Sequence, residues 1–488
     1  MYLTFSDSAK FADAARSFLS GQGLSVHHSF FDVTLLRNYF HGSVWPGGSS
    51  PLISFILSLF FRFLPQTDLT IAIAGMFLFV LSSALVYFIA LKLHSHLTAI
   101  VAILFFLLNP YLIQYAVNAS SEILFILIIL IFEFVFLYAP GKLKTLSVIP
   151  LVLLFLTRQQ APVFLAAAAL SIFIISNKLI RSILIISTIV LMAVFVPLAF
   201  ERPYSPASPI KILGSFFISP QNSPGQYIRG LSYDPLSFSQ FGSKMFYNLY
   251  NFVKDPARII HPVVLGIFLI SLGLKHSRKE LVFHNFLTIF SLTFFILAAS
   301  ATLPNARYVH LILPLVIISS SLGLSEFVSK IKLRFASVIA VIAVVIIPTL
   351  GFYTLDARFR SIQYNTSQPP VYRIIPSIMA QNISKDKLII TNLDAWAAWY
   401  EGLTTMWFPL SPGMLTGYQE KIDYIVITNY KESDADFSLG PWKDVVYSPG
   451  NITDEFLAQN FRVLTTFIIS PDQVYENQSF RGTILIRK

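Results

Sequence analysis

Long apolar stretches separated by short polar loops fill most of the chain up to residue 352. Many approach the length that a helix needs to cross about 30 Å of hydrocarbon. The predicted spans are residues 69–90, 97–115, 122–138, 143–157, 161–176, 180–200, 258–274, 281–301, 309–326 and 335–352. A shorter apolar run, 51–64, contains Arg62 and is predicted to be an interfacial or re-entrant helix. The pattern predicts an α-helical polytopic membrane protein.

After residue 352 the hydrophobic pattern becomes that of a water-soluble domain. Helical and alternating periodicities predict a small α/β domain there. Its predicted helices are Val371–Ile383 and Asp454–Phe461, and its predicted strands are Lys387–Thr391, Asp423–Thr428, Val463–Ile469 and Gly482–Arg487. No glycine-rich phosphate loop opens a helix in this sequence, so nucleotide binding is not predicted.

Composition agrees with a membrane protein. Of the 488 residues, 55% are hydrophobic and 12% are charged, and the mean hydropathy is +0.66, which is too apolar for a soluble domain. The net charge of +10 comes largely from lysines and arginines in short loops between alternate spans. By the positive-inside rule these loops face the cytoplasm, so the charge does not predict a nucleic-acid partner. The cysteine count of zero excludes disulfides, thiolate catalysis and cysteine-based zinc sites.

The alternation of charged loops divides the chain into three regions. Residues 1–68 form an extracytoplasmic first loop, residues 69–352 a transmembrane domain with an external loop at 201–257, and residues 353–488 an extracytoplasmic α/β domain. A first loop on that side requires a preceding span, so the sequence predicts a missing first transmembrane helix with Met1–Phe5 as its remnant. The expected location is the cell membrane, with multiple passes.

Two carboxylates, Asp7 and Glu122, fall on the same predicted extracytoplasmic edge. Acidic residues near lipid are costly, so each needs a reason. Asp7 in Ser6-Asp7-Ser8 begins a helical pattern and has an alternative role as a helix cap. Glu122 opens an apolar helix in which Ser120 or Ser121 is the expected cap and the carboxylate faces the helix dipole. An active-site role for both acids stays open beside capping.

Two arginines lie at the same predicted edge. Arg158 interrupts an apolar stretch, and Arg307 directly precedes another span. Snorkelling to the membrane interface explains an arginine in such a place. Contact with a lipid phosphate also explains it, because the planar guanidinium donates two parallel hydrogen bonds. An acid beside a phosphate clamp is the combination that sugar transfer from a lipid phosphate requires.

Short motifs in a fixed order extend over nearly the whole chain. They are Ser6-Asp7-Ser8 with Ala15 and Gly21-Gln22-Gly23, then Ser50-Pro51-Leu52-Ile53, Asn109-Pro110, Ser121-Glu122, Leu156-Thr157-Arg158, Arg307-Tyr308 and Pro314, and in the tail Asp394-Ala395-Trp396 to Tyr400 and Trp407-Phe408-Pro409. In this order they resemble the integral-membrane GT-C glycosyltransferases. More narrowly, they resemble the bacterial and archaeal branch related to protein O-mannosyltransferases and aminoarabinose transferases.

The resemblance implies a membrane glycosyltransferase that takes a sugar from a polyprenyl-phosphate donor. It implies that Asp7 acts on the acceptor hydroxyl as base, that Glu122 supports the active site, and that Arg307 and Arg158 bind the donor phosphate. We predict a single inverting displacement on the extracytoplasmic side. The acceptor stays open among a lipid, a cell-wall glycan and a protein hydroxyl. Ser8 departs from the pattern, because many relatives have a second acid at this place.

No metal cluster is predicted. His27, His28, His41 and Asp32 share the first loop but lack ligand spacing on a recognisable element. A divalent metal nevertheless stays open, since some GT-C relatives use one.

Aromatic residues in the outer regions have two explanations. Trp396, Trp399, Tyr400 and Trp407 either stack on sugars or pack the tail, and Tyr204, Tyr227, Tyr247 and Tyr250 in the long loop are similar. Two other functions stay open for the chain. One is a transporter or flippase of lipid-linked glycans, which the large external tail and the acids at loop edges disfavour. The other is a non-catalytic membrane scaffold.

Overall fold

The computed structural model describes residues 2–40, 44–46, 50–175, 229, 236–273, 278–302, 304–329, 338, 346, 365–431 and 438–488. The predicted span 180–200 lies outside this set, and so do all but two residues of the predicted span 335–352. Most of the predicted loop 201–257 before residue 236 is also outside it.

Helices form most of the membrane part. The first loop contains α1 (Ser6–Leu19), α2 (Val33–Asn38) and α3 (Pro51–Phe63). The following helices are α4 (Asp68–Leu93), α5 (His96–Leu107), α6 (Pro110–Val117), α7 (Ser121–Tyr138), α8 (Val148–Phe155), α9 (Ala161–Ile175), α10 (Phe238–Lys254), α11 (Pro262–Leu272), α12 (Lys279–Ala301), α13 (Ala306–Val309) and α14 (Leu313–Ser329). Among the described residues, four helices are long and apolar enough to cross a membrane: Asp68–Leu93, Ser121–Tyr138, Lys279–Ala301 and Ala306–Ser329.

The predicted span 97–115 is a broken helix. Helices α5 and α6 meet at an angle of 61°. Pro110 is the first residue of α6 and cannot continue the hydrogen bonds of α5, and the preceding Asn109 is extended. The Asn109 side chain accepts hydrogen bonds from the backbone of Tyr111 and Leu112, which restarts the helix after the bend.

The predicted span 143–157 consists of two helical parts. A 3₁₀ helix, Gly141–Ser147, precedes the short helix α8. Thr145 and Ser147 each donate a side-chain hydrogen bond to the carbonyl three residues earlier, which favours the tight 3₁₀ turn over an α-helix.

A close approach positions the segment that leads into α7. A Cβ atom at Gly75 in α4 would lie 1.9 Å from the carbonyl oxygen of Ala116 and 2.7 Å from the Cα of Ala119. Only glycine allows the end of α6 to sit this close to α4. The next residues are Ser120, Ser121 and Glu122, so this contact positions the start of α7, which carries Glu122.

Three membrane helices share a buried polar chain. The Glu133 carboxylate on α7 lies 2.5 Å from Nδ1 of His284 on α12, and Nε2 of His284 lies 2.9 Å from Oγ of Ser319 on α14. All three side chains are fully buried. These contacts offset part of the cost of burying polar groups there, although Oε2 of Glu133 has no hydrogen-bond partner among the described residues.

The C-terminal domain has the predicted α/β character. Its helices are α15 (Val371–Asn382), α16 (Asp394–Glu401), α17 (Lys443–Tyr447) and α18 (Glu455–Asn460). The described strands are β1 (Ser25–Val26), β2 (His28–Ser29), β3 (Trp45–Pro46), β4 (Leu388–Thr391), β5 (Thr404–Trp407), β6 (Tyr424–Thr428), β7 (Phe461–Ile469) and β8 (Phe480–Arg487). Strands β4, β6, β7 and β8 and helices α15 and α18 match predicted elements to within two residues, whereas α16 and β5 were not predicted.

The first loop contributes a strand to the main sheet. The six strands run in the order β2, β5, β4, β6, β8 and β7. Strand β2 is parallel to β5, and β7 is antiparallel to β8. Strands β1 and β3 form a separate two-stranded pair. The first loop and the C-terminal domain therefore share one sheet.

Helix α16 is docked on the membrane domain through Asp68, the first residue of α4. The Asp68 carboxylate accepts hydrogen bonds from Nε1 of Trp399 at 2.9 Å and from the hydroxyl of Tyr400 at 2.8 Å. The hydroxyl of Tyr372 on α15 donates to the carbonyl of Leu3 at 2.5 Å, and the ring of Tyr372 stacks on Trp396. These contacts place the C-terminal domain beside the start of α1, which carries Asp7.

The long loop is also tied to the C-terminal domain. Arg229 is buried, and its guanidinium donates to the carbonyls of Phe408, Pro409 and Ser438 at 3.2, 3.1 and 2.7 Å. The guanidinium also stacks 3.8 Å from the centre of the Phe408 ring. Arg229 thereby attaches the long loop to the segment that directly follows β5.

Candidate active site

Arg307 joins the two carboxylates that the sequence singled out. Its Nη1 donates to Oδ2 of Asp7 at 3.1 Å, and its Nη2 donates to Oε2 of Glu122 at 3.0 Å. The Arg307 Nε also forms an ion pair with Oε1 of Glu122. Asp7, Glu122 and Arg307 come from α1, α7 and α13, three elements far apart in the sequence. Tertiary packing alone brings them together.

Arg158 completes the cluster from the other side of Glu122. Its Nη1 lies 2.5 Å from Oε1 of Glu122 and donates to Oγ of Ser121 at 2.8 Å. The Arg158 Nε donates to the side chain of Gln160 at 3.1 Å. The Glu122 side chain is 0% exposed, and the side chain of Asp7 is 41% exposed. Glu122 is thus enclosed by two guanidiniums, whereas Asp7 stays accessible.

Capping of α1 by Asp7 is wrong, whereas α7 begins at one of the two expected cap residues, Ser120. Phe5 occupies the cap position of α1, and Asp7 lies in the first turn with its carboxylate on Arg307. Ser120 occupies the cap position of α7 without a side-chain capping bond, and Ser121 accepts from Arg158 instead. Both acids still lie at helix starts, where the partial positive charge of the helix favours a carboxylate.

Asn118 fixes the segment that leads into α1. Its Oδ1 accepts hydrogen bonds from the backbone N of Thr4 at 2.7 Å and of Phe5 at 3.3 Å. Its Nδ2 donates to the Thr4 hydroxyl at 2.9 Å and to the carbonyl of Gln114 at 2.9 Å. Because Asn118 also precedes Glu122 in the chain, it holds the approaches to both carboxylates in one place.

A second chain of contacts supports Arg307. The ring of Phe5 lies 4.8 Å below its guanidinium, and Tyr115 lies beside Phe5 with ring centres 6.2 Å apart. The hydroxyl of Tyr115 lies 2.6 Å from Nδ1 of His310, whose Nε2 lies 2.7 Å from the carbonyl of Arg258. A carbonyl only accepts, so the proton of a neutral His310 is on Nε2 and Tyr115 donates to Nδ1.

Charge is unbalanced in the cluster. Two carboxylates, Asp7 and Glu122, face three cations, Arg307, Arg158 and Lys10, which leaves one excess positive charge. Burial raises the pKa of the Asp7 carboxyl, but the charges of Arg307, Lys10 and Arg158 outweigh it and hold that pKa below its ordinary value. Asp7 is therefore ionised at neutral pH. The excess positive charge fits an anionic ligand.

The sequence patterns do not predict that Lys10, Asn118, Tyr115 and His310 belong to the cluster. Lys10 lies three residues after Asp7 on α1, and its Nζ is 3.9 Å from Oδ1 of Asp7. The helical pattern around Asp7 carried a usable signal, because positions i and i+3 share a helix face. The other three residues carry no local signal, since their contacts are with distant segments.

His27 and Asp32 of the first loop have structural partners. His27 contacts Asp13, with its backbone N at 2.6 Å and its Nδ1 at 3.0 Å. Asp32 accepts from the backbone of Thr34 and Leu35 and caps α2. His41 lies outside the described residues. The described residues contain no group of three or more His, Asp or Glu side chains arranged to hold a metal ion.

The tail aromatics divide into packing residues and one residue at the site. Trp396 is buried against Tyr372, and Trp399 and Tyr400 bind Asp68, so these three pack the domain. Trp407 is half-buried beside Phe30 and Lys10. Tyr247 and Tyr250 are exposed on α10, whereas Tyr204 and Tyr227 lie outside the described residues.

Solved membrane-protein structures share this fold. ArnT from Cupriavidus metallidurans aligns over 99% of this chain and 94% of its own, with a TM-score of 0.55 and 12% identity, and ArnT bound to undecaprenyl phosphate gives a TM-score of 0.56 with 10% identity. The oligosaccharyltransferase AglB from Archaeoglobus fulgidus, in complex with an inhibitory peptide and a dolichol-phosphate, aligns over 86% of this chain and 65% of its own, with a TM-score of 0.54 and 12% identity. No protein-family profile and no curated protein sequence matches the chain.

At these identities the comparison establishes the fold. The chain has the GT-C fold of multi-pass membrane proteins, with a small C-terminal sheet domain. Both parts of the predicted fold class are confirmed.

Proposed function

We propose that this protein is a membrane glycosyltransferase that moves a sugar from a polyprenyl-phosphate donor to an acceptor hydroxyl. The observation that carries the proposal is the bridge of Arg307 between an accessible carboxylate, Asp7, and a buried one, Glu122. ArnT, which shares the fold, has been solved with undecaprenyl phosphate, and AglB with a dolichol-phosphate. These lipids define the donor class to test first.

Arg307 and Arg158 are the proposed donor-phosphate residues. A guanidinium has five N–H groups, so Nη1 and Nη2 of Arg307 each keep one N–H beyond the bonds to Asp7 and Glu122. These groups can donate to phosphate oxygens as negative charge grows on the leaving group. The excess positive charge of the cluster favours the same ligand.

Asp7 is the proposed base. The acceptor oxygen attacks the anomeric carbon, its proton goes to the Asp7 carboxylate, and the bond between the anomeric carbon and the phosphate oxygen breaks with its electron pair left on the phosphate. Because the pKa of Asp7 is held low, the carboxylate first orients the hydroxyl and takes its proton late, when the oxygen has become more acidic. One displacement of this kind inverts the anomeric configuration.

Glu122 is proposed as a positioning residue. Its side chain is fully buried and both of its oxygens are held by guanidiniums, so it has no access to an acceptor hydroxyl. Its negative charge holds Arg307 and Arg158 together and offsets their mutual repulsion. This is the supporting role that the resemblance implies for Glu122.

A divalent metal does not fit this cluster as described. Both carboxylates are already paired with arginines, and three cations surround them, so a further cation meets repulsion rather than free oxygen ligands. One structure of the Archaeoglobus fulgidus oligosaccharyltransferase holds Zn and sulfate. No step of the proposed reaction passes through a metal.

The proposed topology puts the cluster outside the cytoplasm. The starts of α1, α4, α7 and α13 lie together with the C-terminal domain. At the other end of α4, Arg278 donates to the carbonyls of Lys92 and Leu93, so two of the basic loops meet there. On this proposal residues 1–68 form an extracytoplasmic loop, residues 69–352 the transmembrane domain and residues 353–488 an extracytoplasmic domain. Cysteine labelling of the cysteine-free chain at Lys443 and at Lys92 tests it, because only the first site is then modified from outside.

The function is tested with purified full-length protein in liposomes that contain radiolabelled undecaprenyl-phosphate sugars. A transferase forms a new glycoside, which mass spectrometry identifies, and releases undecaprenyl phosphate. A flippase moves the labelled lipid between leaflets without a new glycoside, and the buried pair Glu133 and His284 is the observation that justifies this arm. A scaffold does neither. Lipid movement without transfer would overturn the proposal.

A further inference from the structure

The two oxygens of the Asp7 carboxylate face different groups. Oδ2 accepts from Arg307 at 3.1 Å, and Oδ1 lies 3.9 Å from Nζ of Lys10. Because Oδ2 of Asp7 is held by Arg307, a proposed donor-phosphate residue, Oδ1 is the oxygen left for the acceptor. The acceptor hydroxyl therefore approaches Oδ1, on the side of Asp7 where Lys10 lies.

That side is bounded by two aromatic rings. The Lys10 ammonium is 4.5 Å from the centre of the Phe30 ring and 6.0 Å from the centre of the Trp407 ring. The two rings lie 5.7 Å apart with 32° between their planes. Phe30 follows β2 and Trp407 ends β5, so the parallel pairing of these strands holds the rings side by side. Both residues are half-buried and keep part of their surface open.

Trp407 also carries a polar group without a partner. Its Nε1 is shielded from solvent, yet no atom in the described part of the chain accepts a hydrogen bond from it. A buried indole N–H normally has an acceptor, and indole nitrogen only donates. Because that N–H is shielded, a ligand reaches only the open ring surfaces and the Lys10 ammonium. A ligand here therefore needs an apolar face for the rings and oxygen atoms for the Lys10 ammonium.

We infer that Lys10, Phe30 and Trp407 form the acceptor subsite and that the acceptor is a sugar ring, so its hydroxyl belongs to a glycan or a glycolipid headgroup. The inference rests on the proposed function and names the substrate class of the same site. A sugar ring presents apolar C–H faces to aromatic rings and oxygens around its edge, which matches the two requirements. The Asp7 Oδ1 then takes the proton from the reacting ring hydroxyl.

A peptide hydroxyl fits this surface less well. Extended peptides bind by adding a strand to a sheet edge, where backbone hydrogen bonds give most of the affinity. The edge strand beside the subsite, β2, has two residues and offers little backbone for such pairing. Peptide glycosylation is therefore the outcome that opposes the inference.

The test compares acceptors and variants in full-length protein with undecaprenyl-phosphate sugars as donors. The acceptors are octyl glycosides as a glycolipid surrogate, free oligosaccharides, and a serine- and threonine-containing peptide. We expect transfer to the sugar-bearing acceptors. Trp407→Leu is expected to raise the acceptor KM about tenfold and to leave the donor KM unchanged, and Lys10→Met is expected to raise the acceptor KM about tenfold. Trp407→Phe retains a ring and should raise it less.

Matched controls lie on the C-terminal domain away from the site. Tyr447→Leu removes an exposed aromatic ring and Lys443→Met an exposed lysine, and both should leave the acceptor KM unchanged. Preference for octyl glycosides over free oligosaccharides identifies a glycolipid, and the reverse preference identifies a free glycan. Transfer to the peptide alone would overturn the inference. So would transfer to sugars with an acceptor KM that is unchanged in Trp407→Leu and Lys10→Met.

A binding measurement separates this inference from the transfer reaction. Asp7→Asn protein is titrated with octyl glycoside below its micellar concentration, with octanol as the control ligand, and heat of binding is recorded. We expect glycoside binding that Trp407→Leu weakens about tenfold. If no donor supports transfer but this binding is present, the proposed function fails and the sugar subsite stands. Equal binding of octanol and octyl glycoside would overturn the subsite.

Discussion

Nη1 of Arg307 lies 3.1 Å from Oδ2 of Asp7, although 300 residues separate them in the sequence. The bond orients the carboxylate and sets the direction from which an acceptor reaches it. The same guanidinium is held by Glu122, so base and phosphate clamp are parts of one rigid unit.

Arg307→Lys should reduce transfer sharply. Lysine keeps the charge but cannot contact Asp7, Glu122 and a phosphate in the planar geometry of a guanidinium. We expect kcat to fall about 10²- to 10³-fold, as when one preorganised transition-state donor is removed. Arg258→Lys is the control, because the Arg258 side chain is 75% exposed in a surface ion pair with Asp255. Equal activity of Arg307→Lys and wild-type protein would contradict the proposed clamp.

Asn118→Ala should lower kcat with little change in either KM. The change removes the bonds to Thr4 and Phe5 that place Asp7, and small displacements of a reacting group can cost about 100-fold in rate. The matched control is Asn392→Ala, which removes a buried amide bound to Thr428 and Tyr430 in the C-terminal domain. Both variants should lose about 1–3 kcal/mol of stability. A kcat that falls equally in both would show that Asn118 acts only through stability.

The rate should be independent of Asp7 titration from pH 8 down to about pH 5, since its carboxyl has a pKa below the ordinary value of 3.8. Its contribution to stability is present above the pKa of the unfolded chain and is lost as pH falls through the lower pKa of the folded protein. Lys10→Met removes a positive charge and should move the acid limb of the rate profile to higher pH. Lys443→Met should leave it in place, and a limb that moves to lower pH in Lys10→Met would refute this assignment.

Sequence patterns located most elements, and the departures have physical causes. Strands β7 and β8 are long, with a clear change of pattern around them, and were predicted closely. Strand β5 has four residues, three of them buried, so it shows no alternation. At Asn109-Pro110 the apolar run masked a proline break that bends α5 against α6. The apolar composition of a segment predicts the length of a span, whereas a bend within it depends on single residues.

Residue type and topology predicted that four charged residues lie at one edge of the membrane domain. Asp7, Glu122, Arg158 and Arg307 were chosen as charges on one predicted edge, and the structure brings all four together. The resemblance implies different roles for the two acids, but their difference in burial was not predictable. Glu122 is enclosed and Asp7 is half-buried, because burial is set by the packing of α1 on distant helices.

The buried pair of Glu133 and His284 should matter for stability. His284→Leu leaves a carboxylate in the membrane core without its partner, which costs about 3–5 kcal/mol in comparable buried pairs. Glu133→Leu together with His284→Leu should recover much of that loss, because both polar groups are removed. Denaturant unfolding in detergent measures each variant. A double variant as unstable as the sum of the single ones would show that the pair has no mutual coupling.

The measurement that tests the central claim most directly is single-turnover sugar transfer from an undecaprenyl-phosphate donor by Asp7→Asn protein. Asn is isosteric but cannot accept the proton, so the account predicts a rate about 10²- to 10⁴-fold lower with donor affinity unchanged. Asp32→Asn is the matched control, because Asn caps α2 as well as Asp does and the rate should stay at the wild-type value. Transfer by Asp7→Asn at the wild-type rate would contradict the account.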